Sequence, residues 1–282
     1  MKGNMSLDPL RDGELLRPVY EVKGNDNVWS DWRKTAILVK HLTWHHLAAR
    51  YRGSALGFAW SFVNPLLLMG VYTFVFRFIF RATVPNVPFP VFLLTGILAW
   101  NFFSTASINA AVSLISNMSL INKTVFPRIA LPISGVLAGA INYAIALPLL
   151  IIFALVSGVA PTLSLLLLPC ALILLILMAV GIGAFFSALM PFFNDLQHLI
   201  EVIFTMWFFL TPVVYPVSLV PEPLSLFYEL NPMVGIMELV HSVFLGQPIS
   251  VRSLVFAVGG VSCALGLGLW VFKRMAIHCT EA

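Results

Sequence analysis

The sequence is short of charged residues. Of its 282 residues, 10% are Asp, Glu, Lys or Arg, whereas 60% are hydrophobic. An ordinary soluble domain carries about 25% charged residues, because its surface has to be covered with polar groups. So little charge excludes a soluble enzyme and a disordered chain, and most of the chain is expected to lie in lipid.

Motifs for chemistry are also lacking. The chain has 3 cysteines and no Cys-x-x-Cys pair, so neither a disulfide framework nor a cysteine metal site is expected. No Gly-x-x-x-x-Gly-Lys-Ser/Thr motif is present to hold ATP. His41 and His45 have helical spacing, but Leu42 stands where a zinc protease has Glu, so no metal is expected. The acids after residue 31 lie at least six positions apart, which disfavours an enzyme that holds a metal and a diphosphate with clustered acids.

What the chain does have is long apolar stretches. A helix needs about 20 apolar residues to cross a bilayer. The stretches without Asp, Glu, Lys, Arg or His hold six such helices if the longest of them breaks at the turn sequence 157–161. Backbone groups in lipid must be paired within their segment, so we predict an all-α integral membrane protein. The six predicted spans are 57–79, 89–111, 130–156, 163–189, 198–217 and 252–272.

The distribution of Lys and Arg predicts the orientation. With these spans, 13 of the 16 basic residues lie on the side of the N-terminus, and only Arg77, Arg81 and Arg252 lie on the other side. By the positive-inside rule both termini are cytoplasmic, and residues 57–282 form a six-span membrane domain. The basic residues before position 53 are mixed with acids and adjoin a span, so nucleic acid is not an expected partner.

Two shorter helices are predicted outside the spans. Residues 1–56 form a cytoplasmic region whose second half, 31–51, is predicted as an interfacial helix. On the outer side, between spans five and six, Asn231 is an expected helix N-cap with Pro232 at the first helical position. The segment 233–245 is too short to cross the bilayer, so we predict a re-entrant or interfacial helix there.

Several motifs, in order along the chain, carry a resemblance to a known family. They are Arg50–Trp60 with Asn64–Leu66, Lys123–Arg128 with Leu131-Pro132, Phe192–Leu196, Thr211–Pro216, and Leu230–Pro232. Together with the six spans, this set resembles the ABC-2 family of transport permeases. The most similar branch exports surface polysaccharides, namely O-antigen, capsule and wall teichoic acid.

The resemblance implies a fold, a cargo and partners. The chain would be half of a transporter, with two copies forming the pore and two copies of a separate ATP-binding cassette ATPase bound underneath. ATP and Mg²⁺ would be held by that ATPase, and this chain would carry no cofactor. The cargo would be a polysaccharide on a polyprenyl diphosphate lipid, moved across the bacterial inner membrane.

The resemblance also gives a role to the loop between spans two and three. In the family this loop carries the coupling helix, which receives motion from the ATPase. We predict a short helix there, capped by Asn117 or Ser119 and ending at Phe126, since the residue before a proline leaves the helical region. Lys123 and Arg128 complete the predicted contact with the ATPase. The alternative interpretation is an ordinary cytoplasmic loop of positive charge.

The start of the membrane domain is expected to meet lipid headgroups. Trp44 suits the headgroup zone, and Arg50 and Arg52 directly precede span one. The same two guanidinium groups are good phosphate partners and fit the diphosphate of the cargo equally.

Aromatic side chains are the expected lining of a glycan channel, because sugar rings stack on them. The candidates in spans one and five are Trp60, Tyr72, Phe74, Phe78, Trp207, Phe208, Phe209 and Tyr215. The alternative is that these rings face lipid. An outer gate is expected at Asn231, Pro232, Met233 and Met237, with a surface helix as its alternative.

Three other functions stay open at this point. The same family exports teichoic acid, capsule, lipids and drugs. An ion- or proton-coupled carrier would use Glu201, the only ionisable candidate within a span. A membrane enzyme of glycan assembly would be active as the purified chain alone.

Overall fold

All regular structure in the described part of the chain is helical. The computed structural model describes residues 32–51, 57–81, 83–85, 87–124, 126–160, 162–193 and 195–275. The helices in chain order are α1 (Trp32–Tyr51), α2 (Trp60–Tyr72), α3 (Phe89–Ala111), α4 (Ser113–Ser116), α5 (Met118–Lys123), α6 (Ala130–Val156), α7 (Leu168–Leu189), α8 (Leu196–Phe209), α9 (Ser225–Glu229), α10 (Pro232–Leu245) and α11 (Val251–Met275).

Five helical segments are long and apolar enough to cross a bilayer. They are Trp60–Ile79, Phe89–Ala111, Ala130–Val156, Leu163–Phe192 and Val251–Met275. The first is α2 continued by π-helical turns over Thr73–Ile79, and the fourth is α7 with a 3₁₀ turn at each end. These five confirm five of the six predicted spans, and two of them have the predicted ends.

The helix ends follow local chemistry. Pro88 stands at the N-cap of α3 in extended conformation, and Pro90 in the first turn fits because its missing N–H has no helical partner there. The turn predicted at 157–161 is confirmed, since α6 ends at Val156 and Gly158 adopts a left-handed φ of 82°. α10 ends in the same manner at Gly246, whose φ is 64°.

The fifth predicted span is shorter in the structure than in the prediction. α8 has 14 residues, about 21 Å of rise, whereas the hydrocarbon core is roughly 30 Å thick. It ends at Phe209 because Pro212 has no N–H to donate and disfavours the helical region at Thr211. The Thr211 hydroxyl donates to the Trp207 carbonyl at 2.9 Å, and the chain then turns irregularly up to Pro216.

α3 is the central helix of the bundle, whereas α2 is peripheral. Of the 18 most apolar consecutive residues of α3, 78% are buried. The corresponding share in the segment Trp60–Ile79 is 6%. α3 packs against α2, α6, α7 and α10. α10 is buried almost all round, which is the signature of a core helix rather than of a surface helix.

α7 and α11 approach each other closely at glycines. A methyl group at Gly268 would overlap the carbonyl of Gly181, and one at Gly181 would lie 2.7 Å from the backbone of Ala264. Small residues that let helix backbones touch are the usual means of helix association in lipid.

A second, smaller core joins the helices at the end of the bundle that carries α1 and α5. Its buried members include Leu38 of α1, Ile121 of α5, Phe126, Leu131 of α6 and Phe272 of α11. Helix α5 is thereby anchored to three of the longer helices.

Candidate functional site

Asn231 connects the end of α8 to the start of α10. Its Oδ1 accepts from the N–H of Met233 at 3.1 Å, which confirms the predicted N-cap, and also from Nε1 of Trp207 at 2.9 Å. Its Nδ2 donates to the Leu210 carbonyl at 3.0 Å and to the Thr211 hydroxyl at 3.2 Å. A predicted gate residue and a predicted channel residue are therefore in direct contact.

Trp207 belongs to a cluster of aromatic rings that α3 and α8 build together. The ring of Trp100 lies 6.3 Å from Trp207 and 5.7 Å from Phe208, both edge to face. Phe103 and Phe204 extend the cluster, with centroids 5.4 Å apart. Edge-to-face pairs at these distances add stability beyond the area they bury.

A cavity of about 500 Å³ lies between α2, α3 and α8, beside this cluster. Tyr72 stacks on Phe208 across it, with centroids 5.8 Å apart. Trp100, Asn101 and Glu201 also line it. We name it the aromatic cavity. The structure thus brings Tyr72 and Phe208 together at one cavity.

Phe209 also lines the aromatic cavity, whereas the four remaining predicted channel aromatics lie elsewhere. Phe74 and Phe78 are exposed on the π-helical continuation of α2, at 61% and 70%. Trp60 lines a separate cavity between α2, α3 and α6. Tyr215 is half-buried beyond α8, where its hydroxyl donates to the Phe209 carbonyl at 2.7 Å.

Sequence reasoning missed Trp100 and Phe204, which contribute most of the ring contacts. Both residues lie in the apolar stretches that predicted the spans, but many other aromatic residues lie there too. Only the packing of α3 against α8 distinguishes them.

The predicted gate residues Met233 and Met237 are fully buried in α10, and Pro232 is half-buried. In α9, which directly precedes α10, the hydroxyl of Tyr228 donates to the hydroxyl of Tyr215 at 3.2 Å. Burial, followed by this hydrogen bond, raises the pKa of Tyr228. The phenol therefore keeps its proton as the donor of this contact.

The loop between α3 and α6 differs in detail from the prediction. Asn117 stands at the N-cap position of α5, but its Nδ2 donates backwards to the Ser113 carbonyl at 2.8 Å, so the predicted side-chain cap is wrong. α5 ends at Lys123 rather than Phe126, because Thr124 is already extended. Ser119 and Lys123 are exposed.

The rest of this loop is held more firmly. Phe126 is 8% exposed and belongs to the second core, whereas Arg128 is half-buried in the turn before α6. The loop therefore presents an exposed polar side, with Ser119 and Lys123, on a buried apolar anchor.

α1 is confirmed as a helix over Trp32–Tyr51, and it packs on α6. Trp44 is 73% exposed, and its contact with lipid headgroups stays a prediction. Burial, with a smaller contribution from His45, lowers the pKa of His46, so this imidazole is neutral at pH 7. The prediction for Arg50 concerns its side chain, and the prediction for Arg52 concerns the whole residue. Both lie outside what the structure describes.

The fold and these cavities define a polytopic α-helical membrane protein. Residues 37–245 match the ABC-2 type transporter family. The chain belongs to this family, as its sequence motifs predicted, and it is the membrane subunit of a transporter.

Individual relatives are polysaccharide exporters. The chain is 33% identical over 258 residues to the O-antigen export system permease protein RfbA of Myxococcus xanthus, covering 91% of this chain and 92% of that protein. It is 31% identical to an RfbA of Klebsiella pneumoniae, covering 83% and 90%. It is 24% identical to the polysialic acid transport protein KpsM of Escherichia coli, covering 86% and 95%.

Proposed function

We propose that this chain is the permease of an ATP-driven exporter that moves a polyprenyl-diphosphate-linked polysaccharide of the O-antigen type across the bacterial inner membrane. The observation that carries the proposal is the likeness to O-antigen export permeases over 91% of the chain. The aromatic cavity supports it, because stacked rings suit a sugar chain and no covalent chemistry is required of a passage.

In this proposal the chain crosses the membrane six times, with both termini in the cytoplasm. α8 and the irregular segment up to Pro216 together make the crossing that α8 alone is too short for. Residues 1–56 are the cytoplasmic region, and 57–282 are the permease domain. α9 and α10 enter the membrane from the outer side and return.

The transporter is a homodimer with a separate ATPase. The exposed apolar residues of α2 and of its π-helical continuation, such as Leu67, Val71 and Phe74, support a second copy on that face. The α5 loop with Ser119, Lys123 and Arg128 receives the ATPase, which holds ATP and Mg²⁺. Arg50 and Arg52 contact headgroups or the cargo diphosphate.

The test begins with cells in which the gene is deleted. We expect the surface polysaccharide to disappear and its lipid-linked form to accumulate inside, with both restored by the wild-type gene. The tagged protein, purified gently with its neighbouring genes expressed, should bring an ATPase in equal amount. A protein that is stable alone and restores no surface glycan would contradict the proposal.

Glu201 separates this function from an ion-coupled carrier. Its side chain is exposed and lines the aromatic cavity. An ATP-driven exporter needs no proton on it, so we expect Glu201→Gln to retain export within about twofold, the same as the control Glu222→Gln. Loss of export in Glu201→Gln alone, with ATP plentiful, would favour the carrier.

A further inference from the structure

Two further cavities form one groove between α1, α2, α3 and α6. Their volumes are about 130 Å³ and 470 Å³, and they share Thr105, Gly139 and Asn142. The groove lies toward the end of the bundle that carries α1, since Trp60 begins α2 and His46 closes the lower cavity. We name it the polar groove.

Several polar side chains of the polar groove have no hydrogen-bond partner within the described residues; of those discussed next, Asn101 and Thr105 are half-buried and Asn64 and Asn109 are exposed. The side chains of Asn64, Asn101, Thr105 and Asn109 make no hydrogen bond there, whereas the nearby Ser104 hydroxyl donates to the Trp100 carbonyl at 2.9 Å. All four belong to helices long and apolar enough to span the membrane. An unpaired amide costs several kcal/mol in hydrocarbon, roughly 4–8 in the least polar reference. The groove is therefore expected to open to water or to a polar ligand rather than to lipid chains.

Helix periodicity places these groups along one line. Asn101, Thr105 and Asn109 are four residues apart, so they follow one face of α3. Asn142 of α6 faces the same two cavities. The arrangement is a ladder of amides and a hydroxyl rather than a single polar contact.

The chemistry of the groove points to an uncharged, hydroxyl-rich ligand. The described residues that line it include no Asp, Glu, Lys or Arg, so their own side chains offer no counter-charge to a diphosphate or a cation. Amides and hydroxyls both donate and accept, which matches sugar hydroxyls. Trp60, which is 49% exposed, supplies a ring surface for the C–H face of a sugar, whereas Phe102 and Tyr143 stack on each other at 5.4 Å in the buried wall behind it.

A second copy of the chain fits this groove poorly. A helix with its side chains is about 10 Å wide, too wide for a cavity of 130 Å³. The exposed apolar face of α2, which lies outside the groove, remains free for such a contact.

We propose that the polar groove binds a neutral sugar ring of the glycan cargo, with Asn64, Asn101, Thr105 and Asn109 as hydrogen-bonding residues and Trp60 as the stacking ring. This inference rests on the proposed function. The site is separate from the aromatic cavity, because α3 lies between them and only Asn101 lines both.

The first test is export by Asn101→Leu and Asn109→Leu in the full exporter. Neither amide makes a hydrogen bond within the described residues, so leucine breaks no internal contact, and the variants should match wild type in membrane level and melting temperature. Measuring both quantities separates lost export from a folding defect. We expect surface glycan to fall roughly tenfold, the effect of losing one or two hydrogen bonds to the cargo. The matched control is Ser262→Leu on α11, an exposed polar residue outside the groove. Unchanged export in both variants overturns the inference.

The second test identifies the occupant. The photoreactive residue p-benzoylphenylalanine replaces Thr105, or Asn64 in a second variant, and Ile152 on the exposed side of α6 as control, in cells that make the native glycan. Glycan attached at 105 or 64 but not at 152 supports the inference. Attached phospholipid alone, a covalent dimer, or no adduct overturns it.

The two proposals fail separately. If the wild-type gene restores no surface glycan to the deletion strain, the proposed function fails and the groove inference with it. If wild type restores glycan and the leucine variants match it, only the groove inference fails.

Discussion

Asn231 shows how one side chain can hold together segments that are far apart in sequence. Its amide caps α10, accepts the indole of Trp207, and donates to two groups just beyond the end of α8. The irregular segment after Phe209 has few backbone partners of its own. The geometry at this end of the bundle therefore depends on Asn231.

Substitutions at Asn231 separate capping from cross-linking. Asn231→Ala loses every contact, and we expect a loss of about 2–3 kcal/mol in stability, seen as a lower melting temperature in detergent. Asn231→Ser still caps but cannot reach Trp207, so it should lie between wild type and Asn231→Ala, with the cap worth about 1 kcal/mol. Ser225→Ala, at an exposed turn, serves as control. Equal melting of Asn231→Ala and wild type would contradict this account.

The sequence predicted one half of the role of Asn231. An Asn before a Pro and an apolar run is a local signal, so the cap could be inferred. Trp207 is 24 positions away, and nothing local indicates that its indole would find this amide. The same limit applies to the polar groove, since Asn101 and Asn142 become neighbours only when α3 and α6 pack.

At the level of helices, composition predicted the spans well and their ends less well. A window free of charge is a local property, so the predicted 89–111 and 130–156 coincide with α3 and α6. The predicted 198–217 was too long as a helix, because absence of charge says nothing about backbone continuity. The sequence signal for the end of α8 is Pro212, because a proline there does not allow the helix to continue.

The α7–α11 contact gives a prediction about helix packing. Gly268 is buried against the backbone of Gly181, whereas a methyl group added to Gly266 on the same helix would meet no neighbouring atom within 4 Å. We expect Gly268→Ala to destabilise the protein by about 1–3 kcal/mol, because α7 and α11 must separate. Gly266→Ala should be neutral or stabilising by up to about 1 kcal/mol, since alanine favours helix.

Thermal unfolding of the two alanine variants in the same detergent measures this difference. Both changes add one methyl group to α11, so any general effect of alanine cancels between them. Similar melting of the two variants would mean that α7 and α11 are not held together by close backbone contact.

At the scale of the whole molecule, the described residues form two apolar cores. The larger core surrounds α3 and positions the aromatic cavity and α10. The smaller core ties α5 to α1, α6 and α11 at the opposite end. A force applied to α5 therefore reaches three long helices at once through Ile121 and Phe126. This arrangement is the physical basis for expecting α5 to transmit motion from an ATPase.

Charge reversal on α5 tests that expectation in the intact exporter. Lys123 is exposed at the end of α5, and Lys273 is equally exposed in the last turn of α11, so each can be changed without disturbing packing. We expect Lys123→Glu to reduce the ATPase that co-purifies with the permease, and surface glycan with it, by roughly two- to tenfold. Lys273→Glu should change neither by more than about twofold. Equal losses in both variants would mean that α5 acts only through general positive charge, whereas a loss confined to Lys123→Glu identifies α5 as the contact through which ATP hydrolysis reaches the membrane helices.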